Sequence, residues 1–234
     1  LILDLSHYQA LIDPALWGGL VKFVWVKFCE KFTPDPSRHI HARTLLQAYR
    51  KFGAYHFLKE GSGAAQAELF ADLVQEYLDC HQIGMLVVDW EKHPDGSYPS
   101  LQTMQDCYHR LQALTPNEVD LAIYTRKTFV DAIPGGAAWL AAEQVPLIIA
   151  HYLTLDPIFL EWPAAYAYLE ARRFVPWAPA GCRVVMHQIT GDKITCPGVW
   201  ADKDKTKLSA LDLSFCDPAD AARWSGANAP PEPP

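Results

Sequence analysis

Six short runs rich in β-branched and aromatic residues punctuate the first 151 positions: Ile2 to Leu5, Lys22 to Phe28, Ala54 to Phe57, Met85 to Trp90, Leu121 to Tyr124 and Leu147 to His151. Between them lie Ser37 to Lys51, Ala64 to Gln82, Leu101 to Leu114 and Lys127 to Ala142, whose apolar residues recur at intervals of three and four. Strand alternating with helix predicts parallel β/α units. The runs are nearly continuous in Val, Ile and Phe, as expected of strands whose two faces are both covered. Beyond about Pro176 the pattern changes to short strand-like pieces, Val184 to Ile189 and Leu208 to Leu213, with turn residues between them and no convincing helix. A single-domain α/β barrel whose last third is β-rich fits this order, and 234 residues suffice for it.

Active sites of β/α barrels lie at the carboxyl ends of the strands. Polar groups converge there. Asp4 ends the first strand, Glu30 lies just past the second, His56 ends the third, Asp89 and Glu91 end the fourth, Tyr124 ends the fifth, His151 with Tyr152 the sixth, and Asp212 the last. Taken singly, each has a plain structural explanation: Asp4 as a turn cap, Glu30 as a surface acid beside Lys31, His56 as a satisfied core imidazole. One such group at every strand end is hard to explain by packing alone. Within the set, Val88-Asp89-Trp90-Glu91 is the most informative. Side chains alternate along a strand, so Asp89 and Glu91 share one face, with Cβ atoms roughly 6 to 7 Å apart, while Trp90 points away. Two acids that close push one pKa upward, leaving one carboxyl to donate a proton and the other to stabilise positive charge. Cleavage of a glycosidic bond needs that division of labour.

The net charge of -7 and the absence of any basic stripe argue against a nucleic-acid partner. No apolar run approaches the roughly 18 to 20 residues of a membrane span. The chain starts directly at Leu1-Ile2-Leu3-Asp4, so any signal peptide is expected to be absent or removed. Six cysteines without a C-x-x-C pair read as buried free thiols, although an even count also permits disulfides. His39-Ile40-His41 resembles a metal-binding pair, but it opens a helical stretch in which its imidazoles diverge, and neither metal nor cofactor is expected. Residues 225–234 are a proline-rich tail of linker composition, leaving 1–224 for the barrel.

Several segments, taken in order, resemble the glycoside hydrolase family 25 lysozymes. They are Asp4-Leu5-Ser6-His7-Tyr8-Gln9, Phe23-Val24-Trp25-Val26-Lys27-Phe28-Cys29-Glu30, Gly53-Ala54-Tyr55-His56-Phe57, Val88-Asp89-Trp90-Glu91, Tyr124-Thr125, Ala150-His151-Tyr152, Gln188 and Asp212-Leu213-Ser214. The resemblance spans about residues 1 to 216 and implies a modified TIM-like (β/α)5β3 barrel. It implies hydrolysis of the β-1,4 bond between N-acetylmuramic acid and N-acetylglucosamine in bacterial peptidoglycan, at the cell wall, by an extracellular or phage-released enzyme. It further implies Glu91 as general acid with Asp89 beside it, and Asp4, Glu30, His56, Tyr124, His151, Tyr152, Gln188 and Asp212 as substrate-binding positions. A wall-binding module beyond the linker tail would suit such an enzyme. The chain departs from the family pattern at Ser214, Ile148 and His187, which bears on the sugar subsites more than on the acids.

The expected mechanism has Glu91, its pKa raised by Asp89 and partial burial, protonating the leaving oxygen, while the substrate's own acetamido oxygen attacks and Asp89 stabilises the resulting cation. The runner-up readings are a chitinase-like hydrolase of N-acetylglucosamine polymers and a catalytically inactive glycan-binding barrel. The former lacks its usual extra aspartates, since Val87 and Gly84 occupy those positions.

Overall fold

The computed structural model describes residues 1–17, 19, 21–49, 51–152 and 176–226. The first strand, β1 (Ile2–Leu5), is hydrogen-bonded on both sides, and this closes a barrel. The other strands of the barrel are β2 (Phe23–Glu30), β3 (Phe52–Phe57), β4 (Ile83–Asp89), β5 (Asp120–Thr125), β6 (Leu147–Ala150), β7 (Val184–Trp200) and β8 (Leu208–Cys216). Going round, the order is β1, β8, β7, β6, β5, β4, β3, β2, with β2 returning to β1. Neighbours from β1 through β7 in chain order run parallel; β8 is antiparallel to both β7 and β1. A 3-10 turn (Pro14–Trp17) follows β1. The helices α1 (Arg38–Ala48), α2 (Gly63–Asp79) and α3 (Leu101–Leu114) follow β2, β3 and β4, and α4 (Lys127–Ala132) with α5 (Gly136–Glu143) follows β5. The expected α/β barrel with a β-rich last third is present.

The period of two divides each strand between two apolar layers. Ile2, Phe23, Trp25, Tyr55, Met85, Val87, Tyr124, Ile148 and Met186 fill the barrel interior. Leu3, Val24, Val26, Leu86, Val88, Ile123 and Ile149 face outward, onto helix residues such as Ala42, Leu45, Phe70, Val74, Met104 and Leu111. The helices start where their chemistry directs: the Ser62 hydroxyl accepts from the Ala65 amide and the Ser100 hydroxyl from that of Thr103.

Several elements depart from the sequence reading. The stretch from Lys127 to Ala142 is two helices because Pro134 and Gly135, with φ +77°, break it. Strand β7 continues through Trp200 rather than stopping at Ile189, and β8 runs on to Cys216. The six cysteines are all free thiols; Cys29, Cys107 and Cys196 are buried, Cys80 is exposed, and Cys182 and Cys216 are intermediate. A helix is also present where none was expected, α6 (Pro218–Ser225). Its cues are local: Asp217 caps it by accepting from the Ala219 amide, Pro218 fixes the first turn, and Gly226 ends it at φ +67°. The proline-rich residues 227–234 lie outside the described residues.

Helix α6 seals the end of the barrel at which the parallel strands begin. Trp224, 1% exposed, enters the interior layer against Phe23 and donates its indole N–H to Asp120 at 2.6 Å. Gly84 permits this approach, since a Cβ there would lie 2.0 Å from the Trp224 carbonyl oxygen. Gly84→Ala is therefore expected to cost about 3 kcal/mol, the upper end of overpacking penalties, read as a lowered midpoint in urea unfolding.

Candidate active site

At the opposite end, where the parallel strands terminate, a cleft of about 530 Å³ is lined by the acids Asp4, Glu30, Asp89, Glu91 and Asp212. Three strands bring Asp4, Asp89 and Asp212 together. Antiparallel pairing of Ile2 with Ser214 and Leu3 with Leu213 sets Asp212 level with Asp4, while the register against β7 shifts between Leu211 and Leu213 and again between Leu213 and Ser214, with the extra residues on β7. Asp212 lies inside β8 rather than at its end, a placement that follows from the strand's antiparallel direction. Burial, reinforced by the neighbouring charge of Asp212, holds the Asp4 carboxyl well above the usual range, and the Tyr55 hydroxyl donates to it.

Asp89 is the last residue of β4 and is 7% exposed. The backbone around it is pinned on both sides: the Leu58 amide donates to its carbonyl, and the Trp90 amide to that of Tyr124. Trp90 is fully buried on the helix side against Phe129 and Trp139, so alternation carries Glu91 back to the cleft, as expected. Burial pushes the Asp89 carboxyl well above its ordinary value, with Glu91 and Asp4 adding to the effect and Lys27 and Arg126 opposing it. Its Oδ1 is buried without a hydrogen-bond partner among the described residues. Such an atom costs free energy unless another group arrives to use it.

Glu91 differs in its surroundings. Its side chain is 17% exposed and accepts from the Arg126 guanidinium, which also lies 5.7 Å from the Tyr152 ring. The Tyr124 hydroxyl donates to Gln188 at 2.6 Å and sits 3.4 Å from that of Tyr152. Tyr124 and Tyr152 face the cleft, and Gln188 is buried behind Tyr124 as its acceptor. Burial pushes the Tyr152 hydroxyl up to about 12, so it remains a hydrogen-bond donor at neutral pH.

Glu30 reaches the cleft through a bulge. Lys27 pairs with Tyr55 but Cys29 pairs with His56, so β2 carries one extra residue between them. The bulge reverses the alternation and lets Lys27 and Glu30, three positions apart, face the same cleft. Lys27 Nζ lies 2.7 Å from one Glu30 oxygen and Lys59 Nζ 3.2 Å from the other. Burial alone would raise the Glu30 carboxyl, but these two ammoniums hold it below its usual value.

Two expected site residues stand elsewhere. His56 lies between Tyr55 and Phe57, which face the cleft, so strand parity turns it outward onto α2. There it is fully buried, stacks on Phe70 and donates through Nε2 to the Gln66 carbonyl oxygen, leaving Nδ1 to accept from the Cys29 thiol. Desolvation lowers its pKa to about 4. His151 follows β6 on the exposed lip, 6.2 Å from the His187 ring, and does not line the cleft. His39 and His41 diverge as expected, one toward Tyr77 and the other onto the Ser6 carbonyl. The residues that the sequence reading did not single out are Lys27, Tyr55, Lys59 and Arg126. Tyr55 was within reach of it, because it stands two positions from the cleft residue Phe57 on β3, and so was Arg126, which lies just past the end of β5 and two positions after Tyr124; Lys27 and Lys59 depend on the bulge and on a loop.

The profile described as Glycosyl hydrolases family 25 matches residues 3–168, most of the chain. The chain belongs to this family. Solved structures with the same fold include the bacterial lysozyme from Streptomyces coelicolor, 21% identical, covering 97% of each chain with a TM-score of 0.67. The muramidase from Acremonium alcalophilum is 20% identical over 96% of this chain and 98% of its own, with a TM-score of 0.66. The catalytic domain of endolysin ply40 from bacteriophage P40 of Listeria monocytogenes is 18% identical over 97% of each chain, with a TM-score of 0.64. Among curated proteins none matches.

A family 25 barrel that buries Asp89 next to two other acids sacrifices stability for its site. Because the folded pKa lies above the unfolded value near 3.8, the folded state keeps its proton as pH rises past that value while the unfolded state releases its own. The contribution of Asp89 to stability is thus fully present below pH 3.8 and is lost as pH climbs through its folded pKa. Asp89→Asn is expected to raise Tm at neutral pH, with the gain shrinking toward zero near pH 4, measured by thermal unfolding across pH.

Proposed function

We propose that this glycoside hydrolase is a peptidoglycan hydrolase that cuts the β-1,4 bond between N-acetylmuramic acid and N-acetylglucosamine. One observation carries the reading. A deep, partnerless Asp89 oxygen and a more exposed Glu91 share the mouth of a barrel in a family 25 chain, an arrangement suited to stabilising a buried cation while protonating an exposed leaving group. The lysozyme, muramidase and endolysin neighbours of the same fold support the choice of substrate. The cell wall would be the place of action. The chain comprises one catalytic barrel over residues 1–224, and the proline-rich tail would tether a wall-binding module.

The reaction requires one proton to be carried in on the acid pair. The arriving disaccharide displaces Arg126 from Glu91, and Glu91 delivers the proton to the leaving oxygen. Asp89, then anionic in its buried position, stabilises positive charge at the anomeric carbon as the 2-acetamido oxygen of the substrate closes on it. Water, deprotonated by Glu91, opens that ring and restores the starting state. Tyr124 and Tyr152 hold the acetamido group, Gln188 fixing the first of them. Asp4, Glu30 and Asp212 line the cleft for sugar hydroxyls, while the outward placement of His56 makes it a packing residue.

Glu91→Gln is expected to lower kcat on purified peptidoglycan by about 100-fold to 10,000-fold with little change in KM; wild-type turnover by this variant would remove Glu91 from the role. Attack by the acetamido group followed by water inverts the anomeric carbon twice. The β-anomer should therefore be the first product seen by NMR, and an α-anomer would exclude this route.

A further inference from the structure

Glu91, the proposed proton donor, is paired with a cation. Arg126 follows the end of β5 and caps the start of α4, where its carbonyl accepts from the Phe129 and Val130 amides, so its backbone is fixed and any movement is left to the side chain. Its guanidinium donates through Nη2 to one Glu91 oxygen, and its Nε is buried without a partner among the described residues. A guanidinium grips a carboxylate hardest through two parallel bonds. Here one nitrogen makes the contact with Glu91, whereas Glu30 has a separate ammonium on each oxygen. The Arg126 guanidinium also lies 5.7 Å from the centre of the Tyr152 ring, within the range at which an aromatic face holds a cation. Two resting places for it therefore adjoin, one on Glu91 and one on Tyr152.

A guanidinium beside a carboxyl favours the ionised form, but a general acid must hold a proton when the sugar is in place. The observed pairing and the chemistry thus require different positions of Arg126. We propose that Arg126 is a positioning residue for the proton donor, latching Glu91 as a carboxylate in the free enzyme and moving onto the Tyr152 ring face when sugar enters, which frees Glu91 to carry the proton. The inference rests on the proposed role of Glu91 and adds the group that decides when Glu91 is ready to act. The other ionisable groups of the cleft do not substitute for the latch: Asp4, Asp89 and Asp212 are acids, Tyr124 and Tyr152 are phenols, and the ammoniums of Lys27 and Lys59 are paired with Glu30. Burial alone would lower the proton affinity of Arg126, but Glu91 and Tyr124 raise it, so the latch keeps its charge over the range in which carboxyls titrate.

The test follows the high-pH limb of the rate, where the proton donor is lost, on soluble peptidoglycan strands. The limb of kcat/KM reports the free enzyme and that of kcat the loaded one. Arg126→Gln keeps a hydrogen-bond donor and removes the charge. It is expected to move the kcat/KM limb up by about one pH unit, the low end for an adjacent opposite charge, as suits a partly exposed pair, and to leave the kcat limb in place. Arg126→Lys should keep the wild-type limbs, and Arg126→Met serves if the Gln variant does not fold. Movement of both limbs would mean that Arg126 stays on Glu91 throughout the reaction and, like movement of neither, would overturn the latch. Glu91→Gln separates this result from the proposed role of Glu91: a limb that survives in its residual activity would overturn Glu91 as donor, and the latch with it. Failure of wild type to cut the strands would overturn the substrate reading, and the inference with it.

Discussion

Closure of the barrel through β1 is the constraint on which the rest depends. A four-residue strand takes parallel hydrogen bonds from β2 on one side and antiparallel ones from β8 on the other, so the two ends of the sheet have no edge. The same double pairing sets Asp4 level with Asp212, and the interior packing of Trp25 and Tyr55 aligns that pair with Asp89 across the mouth. Like charges do not assemble unaided in a space with little water. They are held by backbone geometry whose stability comes from the two apolar layers, and the electrostatic cost appears as raised proton affinity in Asp4 and Asp89.

The opposing charges are arranged to leave this proton affinity in place. Lys27 and Lys59 are committed to Glu30, and Arg126 to Glu91, so the deepest acid is offset only from a distance. Asp89 accordingly keeps an oxygen without a partner among the described residues, while the acids around it are neutralised, hydrogen-bonded or nearer to solvent. A cation forming above Asp89 would be the best partner available to that oxygen, which is how preorganised sites favour a transition state over its ground state.

The fold was legible because parallel barrels write their order plainly: apolar runs, helical periods and turn residues alternate, and the third helix fell at Leu101–Leu114 as expected. The pairing of Asp89 with Glu91 on one face was legible for the same reason, since alternation survives where the backbone is pinned on both sides. What escaped the reading were departures from that period. The bulge in β2 brings Lys27 and Glu30 to one face, and nothing in the spacing of the residues announces it. His56 looked like a site residue because it ends a strand; its neighbours Tyr55 and Phe57 were the better guides, since inward and outward positions must alternate. Helix α6 was missed although Asp217, Pro218 and Gly226 bracket it, because its eight residues carry too few apolar positions for periodicity to stand out.

The sealing of the barrel floor by Trp224 also bears on how the chain folds during its own synthesis. Neither β8 nor α6 exists until synthesis has passed residue 208, so until then the nascent sheet has two open edges and an unplugged interior. The pairing of Ile2 and Leu3 with Ser214 and Leu213 joins residues far apart in sequence, which makes closure a late and slow event. A protein truncated just before α6 would lose the floor of its core while keeping every acid of its cleft, so its failure would present as aggregation rather than as impaired chemistry.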